Sequence, residues 1–225
     1  KLELAPNEHA NDATKANAFT RRLIMQDEVD VILGASTTGS TMAMAPQAEA
    51  AKVPLVSLAA ASVIVEPVKP YVFKMPHSDR MAAQKVLGGM KARGFPQFAL
   101  LSDTGGFGKS GRTETLKLAE SMGMKMVEDQ TYGEKDTDIT PQLTKIKSSP
   151  AQAILVFGTG QAPAIVARNY QQLAMKQPLY TTHGQASTEF IRIAGKSSEG
   201  IRMPSPALLI ASALPAADPQ KKVRG

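Results

Sequence analysis

Asp103-Thr-Gly-Gly-Phe-Gly-Lys-Ser-Gly111 is the stretch on which the reading of this chain turns. An apolar run, Phe98-Ala-Leu-Leu-Ser102, precedes it, and a helical pattern from Thr113 to Met122 follows. Strand, glycine-rich turn and helix in that order bring backbone N–H groups against a ligand. Three readings compete. As a phosphate loop, residues 103–110 miss G-x-x-x-x-G-K-S at the first glycine, where Asp103 would repel phosphate. As a dinucleotide fingerprint, Gly106-Phe-Gly108-Lys-Ser-Gly111 matches G-x-G-x-x-G, with Glu128 at the right distance for a ribose contact. That match keeps an NAD(P)-dependent oxidoreductase open as the alternative, although Phe107 would crowd a pyrophosphate. The third reading is a loop lining a solute cleft.

Outward from this stretch, apolar runs and helical patterns alternate. Strands are expected at Val29–Leu33, Pro54–Ser57, Tyr71–Phe73, Phe98–Leu101, Lys125–Thr131, Ala153–Phe157 and Leu179–Thr181. Helices are expected at Thr41–Ala51, Arg80–Arg93, Thr113–Met122, Ile139–Lys147, Ala162–Leu173 and Thr188–Ala194. Short apolar strands between helices predict an α/β fold of parallel sheets covered on both faces. Two breaks interrupt the rhythm: the proline-punctuated Val65–Pro70, with Lys74–Ser78 following the third strand, and Met203-Pro-Ser-Pro206. Proline disfavours helix before it, so both suit crossovers between lobes.

Composition narrows the function classes. The 225 residues include 26 Lys and Arg against 20 Asp and Glu, a net charge of +6, but the cations are scattered. With no Trp and 5% aromatics, interleaved stacking platforms for nucleic acid are not expected. Cys is absent, which excludes thiol catalysis, disulfides and Cys-type zinc sites. The three histidines, His9, His77 and His183, have no metal-ligand spacing, and neither G-x-S-x-G nor H-E-x-x-H occurs. The expectation is a protein that is not an enzyme and needs no metal or cofactor. No run approaches the length of a membrane span, so direct membrane insertion is not expected.

Several further segments carry a family resemblance. Residues 103–111 resemble the D-x-x-x-[YF]-G-x-[GS] loop of type I periplasmic binding proteins, in the branched-chain amino acid group of ABC transporters. Leu33-Gly-Ala-Ser-Thr-Thr-Gly-Ser-Thr-Met-Ala43 is similar to that family's hydroxyl-rich loop and helix start. Val53-Pro-Leu-Val-Ser-Leu-Ala-Ala-Ala-Ser62 and Tyr71-Val-Phe-Lys-Met-Pro76 resemble the next two segments in order. Val156-Phe-Gly-Thr-Gly160 and Tyr180-Thr-Thr-His-Gly184 stand at the later cleft loops, and Glu199-Gly-Ile-Arg202 at the second crossover.

The resemblance implies a two-lobed type I fold, each lobe a parallel sheet with helices on both faces, closing on its ligand by hinge motion. Lobe 1 would be residues 1–75 plus 203–225, lobe 2 residues 76–202, with crossovers near 74–78 and 201–206. Lys1-Leu-Glu-Leu4 would be the family's second strand, so the chain is expected to be truncated at both ends. The implied role is extracytoplasmic: capture of a small carboxylate in the periplasm and delivery to a membrane permease, with a sensory receptor domain as a variant. Implied ligand-binding residues are Ser36, Thr37, Thr38, Ala59, Ala60, Ala61 and Ser62 from lobe 1, and Phe107, Gly160 and His183 from lobe 2. Phe107 lacks the hydroxyl of the family's usual Tyr, and His183 stands where amino-acid binders place Glu. An ammonium in a cleft needs a carboxylate or several acceptors. The expected ligand is therefore an organic, even aromatic, acid, with a hydrophobic amino acid still open through Asp103 or Gln185.

Overall fold

The structure, a computed structural model, describes residues 3–207, 209 and 213–218. Among the described residues, seven strands fall into two parallel sheets. The first contains β1 (Ile32–Leu33), β2 (Leu55–Ser57) and β3 (Val72–Lys74), in the order β1-β2-β3. The second contains β4 (Gln97–Asp103), β5 (Lys125–Tyr132), β6 (Ala153–Phe157) and β7 (Leu179–Thr181), in the order β5-β4-β6-β7. Seven α-helices connect them: α1 (Ala13–Met25), α2 (Thr38–Ala51), α3 (Asp79–Ala92), α4 (Gly106–Ser121), α5 (Thr140–Ser148), α6 (Ala162–Gln172) and α7 (Thr188–Ala194).

The second sheet is buried on both faces, as continuous apolar strands require. Phe98, Leu100, Leu155, Phe157 and Tyr180 pack under α3 and α4, against Val86, Leu87, Met90 and Phe107. Their neighbours along the strands, Ala99, Leu101, Ile154, Val156 and Leu179, face the opposite way and meet Leu143, Ile146 and Val166 of α5 and α6. The first sheet packs differently. Ile32, Leu55 and Val72 lie against Ala16, Met44, Ala45 and Ala48 of α1 and α2. Leu33, Val56 and Phe73, paired in register, form the other face, and Leu33 and Phe73 are 71% and 51% exposed.

Helix α1 is absent from the sequence reading. Asp12 caps it, its carboxylate accepting from the N–H groups of Thr14 and Lys15, and Asn17 Nδ2 donates to the Ala43 carbonyl of α2. The cap and the spacing of Ala16, Thr20, Leu23 and Ile24 are an ordinary helix signal that the sequence does carry. The strand expected at residues 1–4 does not form at Glu3 and Leu4; Leu4 is 76% exposed with no strand beside it, and Lys1 and Leu2 lie outside the described residues.

Two helices begin three or more residues before their expected starts. Helix α2 starts at Thr38, three residues early, and α4 starts at Gly106 rather than Thr113. Glycine disfavours helix, but here it permits close packing. A β-carbon at Gly111 would lie 2.0 Å from the Phe157 ring, and one at Gly108 would lie 2.2 Å from the Asp103 carbonyl oxygen. After α7 the chain returns beside β7: Thr181 N donates to Arg202 O at 2.9 Å and Arg202 N to Leu179 O at 3.1 Å. The expected second crossover sits at this edge. Of the tail assigned to lobe 1, residues 208, 210–212 and 219–225 lie outside the described residues. Among the described residues no helix is long and apolar enough to cross a membrane.

Candidate functional site

The N-termini of α2, which follows β1, and of α4, which follows β4, meet. Neither Thr37, the N-cap of α2, nor Gly105, the N-cap of α4, supplies a side-chain cap. A β-carbon on Gly106 would lie 3.0 Å from Gly39 N and 3.1 Å from Thr38 Cγ2, so the two first turns touch. Each helix start carries a partial positive charge and N–H donors without intrahelical partners. Thr38 is 2% exposed and its Oγ1 has no hydrogen-bond partner.

Phe107 is expected as a cleft wall, but it is only 3% exposed and belongs to the core of the second sheet. Its ring lies 4.9 Å from that of Phe157, and it meets His183 edge-on at 6.1 Å. Adjacent small glycines left the ring free to turn either way; the gap over β6 took it. Ala60, from the first half, packs against this same cluster. Thr38, Ala60, Phe107 and His183 are thus brought together across the two sheets.

His183 is half-buried, and neither ring nitrogen makes a hydrogen bond of ordinary geometry, although the His77 backbone approaches closely enough to favour the charged ring slightly. Burial, reinforced by His77 and Lys74, holds its pKa below the ordinary imidazole value. Thr182, fully buried beside it, also has an unpartnered hydroxyl.

The remaining expected residues divide. Ala59 and Ala61 are buried in the first core, and Ser36 and Gly160 are exposed. Thr37 Oγ1 donates to Ser40 Oγ at 3.1 Å. Ser62 is committed elsewhere, its N and Oγ donating to Asp79 Oδ1 at 3.0 and 2.6 Å. Of the ten expected residues, only Ser62 lines the cavity of about 380 Å³ that opens between the halves beside α4.

Of the two residues considered for an ammonium, Asp103 is occupied through both carboxylate oxygens and Gln185 through its amide nitrogen. Asp103 Oδ1 accepts from Gly105 N at 2.9 Å and Gly108 N at 3.1 Å, and Oδ2 from Thr159 N at 2.9 Å. Burial pushes its pKa up to about 6 against the pull of these three donors. Gln185 Nε2 donates to Gly158 O at 3.1 Å. The strand-end carboxylate therefore fixes the loops after β4 and β6. The G-x-G-x-x-G match lies within α4 itself, not in a turn before it, and Glu128 Oε1 accepts from Gln130 Nε2 at 2.6 Å. Among the described residues no group of three His, Cys, Asp or Glu could hold a metal.

Sequence reasoning missed Asp79, Arg80 and Thr182. Ser78-Asp79 reads as an ordinary helix start, and nothing local marks the partners that reach Asp79 from distant segments.

A family model described as periplasmic binding protein matches residues 1–218. No curated protein matches the chain. Among solved structures, an extracellular ligand-binding receptor from Rhodopseudomonas palustris HaA2 superposes with a TM-score of 0.91 at 26% identity, over 97% of this chain and 61% of that one. A Rhodopseudomonas palustris CGA009 protein gives a TM-score of 0.88 at 29% identity, over 96% and 60%. The branched-chain amino acid transporter substrate binding protein LivJ from Streptococcus pneumoniae, in complex with isoleucine, gives 0.78 at 23% identity, over 89% and 58%, and is similar in fold alone. The chain spans about three-fifths of the length of these structures.

Proposed function

The chain belongs to the periplasmic binding protein family, and from that premise we propose that it captures a small carboxylate outside the cytoplasm and delivers it to the permease of an ABC transporter. Two lobes, residues 1–75 with 203–225 and residues 76–202, close on the solute about the crossovers near 74–78 and 201–206. The observation carrying the carboxylate is the unpartnered, buried Thr38 hydroxyl in the first turn of α2, where that turn touches the first turn of α4. The start of α2, whose N-cap Thr37 makes no side-chain cap bond, offers donors and partial positive charge that suit an anion.

The favoured solute is an organic acid without an α-ammonium group. LivJ is described in complex with isoleucine, but the buried aspartates here are engaged. Asp79 and Asp103 already accept hydrogen bonds through both carboxylate oxygens. His183 contributes an imidazole whose ring nitrogens make no hydrogen bond of ordinary geometry. Calorimetric titration with benzoate and with leucine tests this. Benzoate binding at micromolar Kd is expected. Binding of leucine alone overturns the organic-acid assignment, and binding of neither overturns the carboxylate reading for these classes.

A further inference from the structure

Asp79 and Arg80 open α3, and each side chain is gripped from two directions. Asp79 is fully buried. Its Oδ1 accepts from Ser62 N, Ser62 Oγ and its neighbour Arg80 N (2.7 Å), while Oδ2 accepts from Ser110 Oγ of α4. Its own N–H donates to Ala60 O at 3.1 Å. Arg80 forks onto Glu66, Nη1 to Oε1 at 3.0 Å and Nη2 to Oε2 at 2.6 Å, and its Nε reaches Glu114 Oε2 of α4 at 2.5 Å. Ser62 and Glu66 follow the first sheet's β2, whereas Ser110 and Glu114 belong to the helix over the second. One carboxylate and one guanidinium therefore each bridge the two halves, and Arg80 with Ser62, Glu66, Ser110 and Glu114 lines the 380 Å³ cavity.

A plain helix cap does not account for this arrangement. Capping would use N–H groups of α3 itself, and Arg80 N alone provides that; the two Ser62 donors come from the other half. Charge-assisted bonds to a buried carboxylate are strong, and a bidentate Arg–carboxylate pair fixes geometry as well as energy. We propose that Asp79 and Arg80 form a latch that holds the Ala59–Ser62 loop against α4 when the halves are closed. Ser62 is then a positioning residue for closure. The latch rests on the two-lobe reading above. Because apparent affinity scales with the closed, binding-competent population, it sets how tightly any solute is held.

The chain has no cysteine, so Lys52→Cys and Ser121→Cys, both at exposed positions, give a site-specific dye pair reporting the distance between the halves. Single-molecule energy transfer is measured without solute, in the otherwise natural 225-residue chain and with Ser62→Ala or Glu66→Gln added. Glu66 is exposed, so the second variant stays folded even if the first does not. Both are expected to shift the distribution toward larger separation, and so is raising salt toward about 1 M, which screens the Arg80–Glu66 pair. In parallel titrations with benzoate, each variant is expected to weaken binding threefold or more, about in proportion to the lost closed population and mainly through faster dissociation. Unchanged separation in folded Ser62→Ala and Glu66→Gln overturns the latch. If benzoate and leucine both fail to bind but the solute-free separation shifts, the latch stands and the solute assignment falls.

Discussion

The two sheets share a parallel plan but are built to different standards of burial. In the second, every residue of β6 is buried and alternate side chains enter separate cores above and below. In the first, alternate residues face helices on one side only, and Leu33 and Phe73 on the other stand in register and exposed. Their strand ends differ too. In the first sheet a hydroxyl closes the loop: Ser57 Oγ lies 2.8 Å from Thr41 Oγ1 and accepts from Ala59 N at 3.1 Å. In the second a carboxylate, Asp103, gathers three backbone N–H groups. The lesson is a division of labour. The second half is a rigid platform, whereas the first contributes a hydroxyl-rich loop and helix start held against it by side-chain contacts.

The comparison breaks most directly at Phe157. It is fully buried beneath Phe107 and Gly111, so Phe157→Ala should cost about 3–5 kcal/mol in denaturant unfolding. A loss below about 1 kcal/mol would mean the second core is not the platform described.

Asp103→Ala comes next. It strands the three N–H groups and should cost roughly 2–3 kcal/mol. Its pH dependence has a definite sign. The folded pKa of about 6 lies above the unfolded value, so the folded state holds the extra proton between them. The carboxyl's contribution is therefore fully present below the unfolded value, about pH 4, and is lost as pH rises through about 6. The stability gap between the natural chain and Asp103→Ala should be wider at acid than at neutral pH; a gap that widens toward neutrality would contradict that sign.

The helix starts offer a smaller, sharper contrast. Gly111→Ala puts a methyl group into the Phe157 ring and should cost about 1–3 kcal/mol. Gly39→Ala in α2 meets nothing within 4 Å and should be neutral or stabilising by up to about 1 kcal/mol. Thermal midpoints moving in the same direction would erase the distinction. The smallest effect is expected at the exposed face, where Phe73→Ser should change stability by no more than about 0.5 kcal/mol. A large loss there would show that this face is packed after all.

Much of this architecture is legible along the chain. Continuous apolar runs such as Phe98–Leu101 and Ala153–Phe157 have the signature of strands buried on both faces, and β6, β7 and α7 lie where the apolar pattern puts them. Elements whose cue was weaker than their packing shifted. Gly106, Gly108 and Gly111 read as a turn because glycine disfavours helix, yet they open α4, where a β-carbon at Gly108 would strike Asp103 and one at Gly111 the Phe157 ring. Among the candidate site residues, Thr38 is legible from its hydroxyl-rich loop, because helix starts and hydroxyls coincide locally. Phe107 and Ser62 are not, since their partners, Phe157 and Asp79, come from other segments.

The sequence by itself determined the class of fold, the order of most elements, the absence of thiol chemistry and the loops from which a site would be drawn. These follow from local periodicity and residue chemistry, which need no knowledge of distant neighbours. Tertiary structure decided that Phe107 faces a core, that Asp103 ties loops together, and that Asp79 and Arg80 join the two halves. Each of those outcomes depends on which buried donor or gap lies within a few ångströms, and that is set only when segments tens of residues apart are packed together.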